Sequence, residues 1–386
     1  MFVHQSQLRH LCTPEQYYSA ASHRAETESI FLPAWHLVAT TNELTKPGDF
    51  VSLELLGRPI LIRNMDGVLC AFLNVCAHRH ARLTDLPCGN SPQLRCQYHG
   101  WEYDQRGRTA KIPDAQAFRP FDRENAQLRK LRVATCGQLV FVSFATEGPS
   151  LEDFIGPLFP RWNKGFDGDE FRLASAWGQD FPCNWKVVLE NSLESYHIPC
   201  VHPKTFGDMP LEKKCWHILE PGFTTFRTQI DDTWINRQQN WAARRLGSEN
   251  SGEYEHHCLH PHMTVARLDI HWIAMVVYPT SPTTCHYRNW TFTLHGKRRG
   301  PLAKLLAFGL QRVVTHVAKR VFAEDGAIYS AVQKGLEASP HPGVIGTREE
   351  RIYVFQKYVT DALANHRADV NGCQDSPCTV ESQTGP

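Results

Sequence analysis

Apolar and polar positions change texture along this chain, and each texture predicts a different element. Residues 14–32 (PEQYYSAASHRAETESIFL) read as a short helix, with Thr13 as its N-cap and Pro14 at the first helical position. From Trp35 to Phe144, short β-branched and aromatic runs (VSLEL, PILIRN, VLCAFLNV, LRVATC, QLVFVSF) alternate with Gly-, Pro- and Asn-containing turns such as Met65-Asp66-Gly67. Regularly spaced short strands of this kind predict a small sandwich or barrel. Residues 147–168, rich in Gly and Pro, read as a connection. Beyond them the pattern predicts a helix over 184–197, several strands between 215 and 295, and a long helix from about 302 to 336. There is no internal repeat. The fold class is therefore α+β, a small all-β domain followed by a larger α+β domain. The expected divisions are an N-terminal helical segment (1–34), the β domain (35–150), the second domain (165–365) and a polar, disordered tail (366–386).

Composition narrows the function classes. The chain has 386 residues, 42% of them apolar and 21% charged, which provides for a substantial core. A balance of 41 Lys+Arg against 40 Asp+Glu argues against a nucleic-acid binder. No apolar run approaches a membrane span, Trp272–Tyr278 being among the longest. The opening MFVHQSQLRHLC is too polar for a signal peptide, so a cytoplasmic location is expected. In a reducing compartment, 13 Cys and 20 His point to metal rather than to disulfides.

Spacing says which metal. Cys76-Ala77-His78 is separated by seventeen residues from Cys96-Gln97-Tyr98-His99. Zinc accepts Cys₂His₂, but zinc fingers usually place both cysteines in one half and both histidines in the other. Here each half offers one thiolate and one imidazole, as a Rieske [2Fe-2S] centre demands, with two Cys on one iron and two His on the other. A second constellation lies in NWKVVLENSLESYHIPCVHP (184–203). Glu190, Glu194 and His197 fall at i, i+4 and i+7, so a continuous helix would put them on one face, and Pro199 would end it. His202 then returns on a loop towards His197. Two imidazoles and one carboxylate make the facial triad that holds Fe(II) with open positions for O₂. The carboxylate must come from a distant segment, and Glu324-Asp325-Gly326, acidic in an otherwise apolar and basic helix, offers candidates.

In this combination the chain resembles the catalytic α-subunits of Rieske non-haem iron oxygenases over roughly residues 30–360. The Cys-x-His-x₁₇-Cys-x₂-His motif, Asn184-Trp185-Lys186, Glu190-Asn191, Glu194-x-Tyr196-His197-x₄-His202-Pro203 and the late Glu324-Asp325 follow that family's order. The resemblance implies a [2Fe-2S] cluster on Cys76, His78, Cys96 and His99, and a mononuclear Fe(II) on His197, His202 and Asp325. Glu194 would be the acid that links the two sites across a subunit boundary. It also implies a helix-grip (START-like) catalytic domain, with an antiparallel sheet around a long helix. A head-to-tail homotrimer follows, with β-subunits in some members, and electrons from NAD(P)H through a separate reductase or ferredoxin. No dinucleotide fingerprint or second ferredoxin-type Cys set is present to replace that partner. Two departures stand out: His80 where the family commonly has Gly, and Glu194 where Asp is commoner. Glu at that place is associated with the branch acting on quaternary ammonium compounds.

The implied activity is hydroxylation or oxidative N-demethylation of a small organic substrate with O₂. An aromatic-ring dioxygenase α-subunit is the alternative, and a Rieske electron carrier without oxygenase activity is the alternative from another class. Three further features have candidate roles. HHCLHPH (256–262) reads as lining the substrate cavity, or as a plain loop or surface, ahead of binding metal. Trp216, Phe223, Phe226, Trp234 and Trp272 could furnish an aromatic box for a cation, although core positions are commoner for such residues. The basic, amphipathic segment from Lys297 to Arg320 reads as a solvated face, or as a patch for an acidic ferredoxin-like domain, ahead of a membrane contact.

Overall fold

The computed structural model describes residues 2–374, apart from residues 123, 231–233, 249–250 and 299. The chain opens with a 3-10 turn (Pro14–Tyr17), helix α1 (Ala20–Glu26) and a wider turn (Thr27–Phe31). Thr13 and Pro14 start this segment as expected. Ser19 then interrupts it by capping α1, its hydroxyl accepting from the Ser22 amide at 3.4 Å.

The first domain comprises β1 (Trp35–Thr40), β2 (Asp49–Leu55), β3 (Arg58–Met65), β4 (Val68–Leu73), β5 (Cys88–Asn90), β6 (Leu94–Arg95), β7 (Glu102–Tyr103), β8 (Thr109–Lys111), β9 (Lys130–Cys136) and β10 (Leu139–Ser143). An antiparallel sheet runs β1-β10-β9-β4-β3-β2-β5, with β6-β7-β8 as a separate small sheet. The β3–β4 hairpin closes on Asp66-Gly67, whose φ angles of 57° and 91° are those a two-residue turn requires. The connection that follows holds two short helices, α2 (Leu151–Ile155) and α3 (Phe159–Gly165).

The second domain contains β11 (Phe171–Phe181), α4 (Trp185–Ser192), α5 (Ile198–Val201), β12 (Cys215–Leu219), β13 (Phe223–Gln229), α6 (Trp234–Leu246), β14 (Glu253–Leu259), β15 (Met263–Leu268), β16 (His271–Ser281), β17 (Thr284–Leu294), α7 (Pro301–Ala338) and α8 (Glu350–Gln374). Its antiparallel sheet has the order β11-β17-β16-β15-β14-β13-β12, and α7 packs against β11 and β17, the helix-grip arrangement. The unstructured tail expected from 366 is corrected in part: α8 stays helical to Gln374, and residues 375–386 lie outside the described residues.

Strand alternation decides what each face of this sheet does. On β16, Trp272, Ala274, Val276 and Tyr278 enter one core with Leu37 and Val140 of the first domain. The residues between them, Ile273, Met275 and Val277, line a cavity on the opposite face. Arg288 Nη1 ties the two domains by donating to the Val38 carbonyl at 2.6 Å, and the Tyr278 hydroxyl donates to that of Leu37. The N-terminal segment is fixed to α4 by a buried ion pair: Lys186 Nζ lies 2.5 Å from Glu26 Oε1 and donates to the Gln16 carbonyl at 2.9 Å. Trp185 Nε1 donates to the other Glu26 oxygen at 2.7 Å.

Candidate metal centres

The four residues of the first constellation sit on two loops of the same backbone design. The Cys76 amide donates to the Ala81 carbonyl at 2.8 Å and the His80 amide to the Cys76 carbonyl at 3.0 Å; Cys96–Trp101 and Gly100–Cys96 repeat the pattern at 2.8 and 3.1 Å. The fifth residue of each loop, counted from its cysteine, is left-handed, with φ of 59° at His80 and 72° at Gly100. His80 therefore occupies the position that favours glycine, with its side chain exposed, at a cost on the order of 1 kcal/mol.

The loops bring thiols inward and imidazoles outward: Cys76 and Cys96 are buried, His78 half-buried and His99 exposed. The His78 ring stacks on Trp101 at 4.7 Å with planes 4° apart, and it meets His99 edge-on at 4.7 Å. The Tyr103 hydroxyl lies 3.0 Å from Cys76 Sγ and accepts from the Ala77 amide at 3.1 Å. Burial and the neighbouring thiol push this phenol's pKa up, so it keeps an O–H that can be given to a thiolate sulfur. His78 Nδ1 is buried with no hydrogen-bond partner, as a nitrogen reserved for a metal would be. Two buried thiols beside two outward imidazoles fit a Rieske cluster.

The second constellation converges from three segments. His197 Nε2 and His202 Nε2 lie 3.5 and 3.0 Å from Asp325 Oδ1, and the ligand atoms of this trio all fall within 4.8 Å of one another. Asp325 Oδ1 is nevertheless without a hydrogen bond, because the three groups point at a shared centre rather than at each other. This donor set fits a non-haem iron. Each imidazole is gripped from behind. His197 Nδ1 bonds to Glu194 Oε1, and Glu194 Oε2 also accepts from the Tyr196 and His197 amides. His202 Nδ1 bonds to Glu324 Oε2 at 2.8 Å. Glu324 also accepts from Thr205 Oγ1 at 2.9 Å and Arg320 Nε at 3.0 Å. Hydrogen bonds from His202, Thr205 and Arg320 hold its carboxyl at about 2. Gly326 allows α7 this close, since a Cβ there would stand 2.8 Å from Phe181.

The continuous helix expected over 184–197 is corrected. It ends at Ser192, so Glu190, Glu194 and His197 do not share a face. Glu190 instead accepts from Tyr17 Oη at 2.6 Å and Gln356 Nε2 at 2.9 Å, a structural role. Pro199 lies at the start of α5, where a missing amide costs nothing, rather than ending a helix. Glu324, Thr205, Tyr103 and Trp101 have no role in the spacing argument. Glu324 is marked in the sequence by its place beside Asp325.

A cavity of about 1950 Å³ opens beside the trio, walled by the free face of the sheet and by α7. His256 and His262 line it, as expected of the 256–262 segment, whereas His257 and His260 do not. His257 pairs with Thr225 Oγ1 at 2.9 Å and His260 Nδ1 with the Pro221 carbonyl at 2.8 Å. Among the described residues the aromatic box does not assemble. Only Phe226 lines the cavity, Trp272 and Phe223 pack in the inter-domain core, Trp216 is exposed, and the Trp234 side chain lies outside the described residues.

Residues 34–130 match the Rieske [2Fe-2S] domain, and residues 169–365, about half of the chain, match the ring hydroxylating alpha subunit (catalytic domain). The oxygenase subunit of carnitine monooxygenase from Acinetobacter pittii (strain PHEA-2) is 31% identical over 55% of this chain and 57% of its own length. The alpha subunit of chlorobenzene dioxygenase from Cupriavidus sp. (strain PS12) is 30% identical over 48% of this chain and 42% of its own. The chain thus spans about half the length of the curated relatives it matches. A crystal structure of the quaternary ammonium Rieske monooxygenase CntA with an inhibitor superposes with a TM-score of 0.76 at 24% identity, over 91% of this chain and 94% of that one, which shows the shared fold. With a Rieske domain that implies the [2Fe-2S] cluster ahead of a catalytic domain that implies mononuclear iron, the chain belongs to the ring-hydroxylating alpha-subunit family.

Proposed function

We propose that this chain is the oxygenase component of a Rieske-type system that uses O₂ to hydroxylate or oxidatively N-demethylate a small organic substrate, with quaternary ammonium compounds as the first class to test. The observation that carries this reading is the convergence of His197, His202 and Asp325 beside a cavity of about 1950 Å³. A carrier of electrons alone has no use for it. The carnitine relative and Glu194 support the substrate class. The second reading, ring dioxygenation of an apolar aromatic, is favoured by the apolar wall of Met275, Val277, Leu310, Val314 and Phe322, and by the chlorobenzene relative.

In this mechanism Cys76, His78, Cys96 and His99 would hold the cluster, and His197, His202 and Asp325 would hold iron. When bound, these groups supply single electrons and the activation of O₂. Glu194 and Glu324 accept the Nδ1 protons of His197 and His202, which leaves each Nε2 with a free lone pair aimed at the common centre. Tyr103 steadies the Cys76 sulfur by its O–H. The apolar cavity wall excludes water around the substrate. Exposed His99 places the imidazole side of the cluster loops at the surface, where the mononuclear site of a second subunit in a homotrimer can meet it. Electrons come from an NAD(P)H-dependent reductase or a ferredoxin, and the cytoplasm is the proposed compartment.

The test is metal content together with substrate-stimulated O₂ uptake, using a surrogate reductase across amines and aromatics. About three irons per chain are expected, two in the cluster and one mononuclear. Asp325→Ala and His202→Ala are expected to lose the third iron and turnover while keeping the visible spectrum of the cluster. Turnover that persists in both variants would refute the assignment.

A further inference from the structure

The catalytic domain carries a charge asymmetry that its chemistry does not use. Residues 297–323 hold seven Lys or Arg and no Asp or Glu, and α6 adds three Arg and no acid, within a chain whose overall balance is 41 to 40. The fold joins these segments. The Arg298 amide donates to the Leu246 carbonyl at 3.2 Å, and Trp241, Arg244, Arg245 and Arg298 line one pocket. Among the described residues, Arg244, Arg245, Arg298, Lys304, Arg312 and Lys319 form no ion pair.

Apolar side chains stand among these cations. Leu302, Leu305, Val313 and Val317 recur on one face of α7 and are 71%, 67%, 62% and 40% exposed. Phe308 beside them and Trp241 on α6 are 52% and 54% exposed. Water does not select such a surface, and a contiguous exposed apolar patch marks a binding face. Leu302, Leu305, Val313, Val317 and Trp241 form the open rim of the substrate cavity, and Leu306, Leu310 and Val314 continue its lining on the more buried side of the same helix. Among the described residues no helix is long and apolar enough to cross a membrane.

We propose that this α6–α7 face docks on an anionic lipid surface, with the apolar stripe in the headgroup–acyl boundary and the Lys and Arg side chains on the lipid phosphates. An apolar stripe flanked by Lys and Arg, with Trp and Phe at the margin, is the pattern of a helix that lies in the interface plane. An acidic electron donor is the poorer occupant. It serves the loops of Cys76 and Cys96 in the other domain, and it has no use for exposed Leu302 and Leu305, which stand up to ~35 Å along the helix from Asp325. Because the stripe runs on into the cavity wall, docking opens the cavity towards the lipid, and an apolar substrate can enter without crossing water. The docking does not rest on the proposed reaction.

The experiment is flotation of the full-length, iron-loaded protein with vesicles of phosphatidylcholine alone or mixed with phosphatidylglycerol. Binding is expected to the anionic vesicles, to be far weaker on neutral ones, and to fall as salt rises. Lys304→Gln and Arg312→Gln should each lower the partition coefficient about fivefold. Leu302→Ser combined with Phe308→Ser, at exposed positions whose folding is checked by circular dichroism, should bring it to background. No flotation with anionic vesicles at low salt overturns the proposal, as does binding that these variants leave unchanged. A change of oligomeric state in the Leu302→Ser, Phe308→Ser protein without loss of vesicle binding would assign the face to a second copy of the chain. Capture of a purified acidic ferredoxin, lost in Lys304→Gln, Arg312→Gln protein that never bound vesicles, would assign it to an electron donor.

Discussion

A carboxylate stands behind each imidazole of the mononuclear site, and at the residue scale this pairing fixes which nitrogen is free. Glu194 does so for His197 from three residues away, a local arrangement within one turn of the chain. Glu324 does so for His202 from 122 residues away, and it leaves its neighbour Asp325 to face the centre. Glu324→Leu removes the acceptor, so iron affinity is expected to fall about 10–100-fold with the cluster spectrum unchanged. Glu324→Gln keeps an acceptor oxygen and should restore most of that affinity. Iron titration of apoprotein followed by metal analysis measures both, and equal loss in the two variants would mean that charge rather than orientation matters. The same scale explains His80. Its left-handed backbone is demanded by the loop, and its ring is directed to solvent, so it is not a rival to His78.

At the scale of elements, α4 and α7 place the site, and each is positioned by something outside itself. Helix α4 is capped by Asn184, whose side chain accepts from the Lys186 amide at 3.0 Å, and it is pinned to the N-terminal segment through Lys186 and Glu26. Both side chains of that pair are almost fully buried, at 0% and 1% exposure. Lys186→Ala would leave the Glu26 carboxylate buried beside an empty space. A loss of about 3–5 kcal/mol in unfolding free energy is expected from urea titration. A change under about 1 kcal/mol would show that water reaches the Glu26 carboxylate once the lysine is shortened. The early end of α4 at Ser192 was not legible, because helical periodicity continues through Glu194 and His197. The Glu194 carboxylate instead accepts the amides of Tyr196 and His197, an alternative to helical hydrogen bonds that only the folded site makes worthwhile.

At the scale of the whole molecule, the buried histidines set a pH limit on stability. Burial lowers His36, His260 and His271 to about 4, and His256 and His262 well below their ordinary value. The unfolded chain binds protons on these rings near pH 6.5, while the folded chain keeps them neutral. Between about pH 6.5 and about 4 the unfolded state therefore holds more protons, and stability falls as pH falls through that window. It is fully present above it. Each such ring contributes up to about 1.4 kcal/mol per pH unit, so the melting temperature should drop steeply from pH 7 to pH 5. A flat profile over that range would mean that the rings are charged, or reach water, in the native state.

Short-range spacing determined much of this protein without any tertiary information. Cys76 and His78, and Cys96 and His99, are brought together by their own loops, and His197 and His202 by the single turn of α5, so sequence distance already limits spatial distance. Strand runs and turn residues such as Asp66-Gly67 likewise act through local backbone geometry, and they made the β domain and the order of domains readable. Pairings across the chain were decided by packing. Asp325 meets the histidines, and Glu324 turns away from them, only because α7 crosses the sheet closely enough at Gly326. Trp272 belongs to the inter-domain core and not to a cation box, because strand alternation assigns its side of β16 to the first domain. The basic apolar stripe of α7 reads as an ordinary solvated face until α6 adds its own arginines at the same cavity mouth. Local spacing is written in covalent distance, whereas a cavity and its rim exist only once distant elements exclude water together.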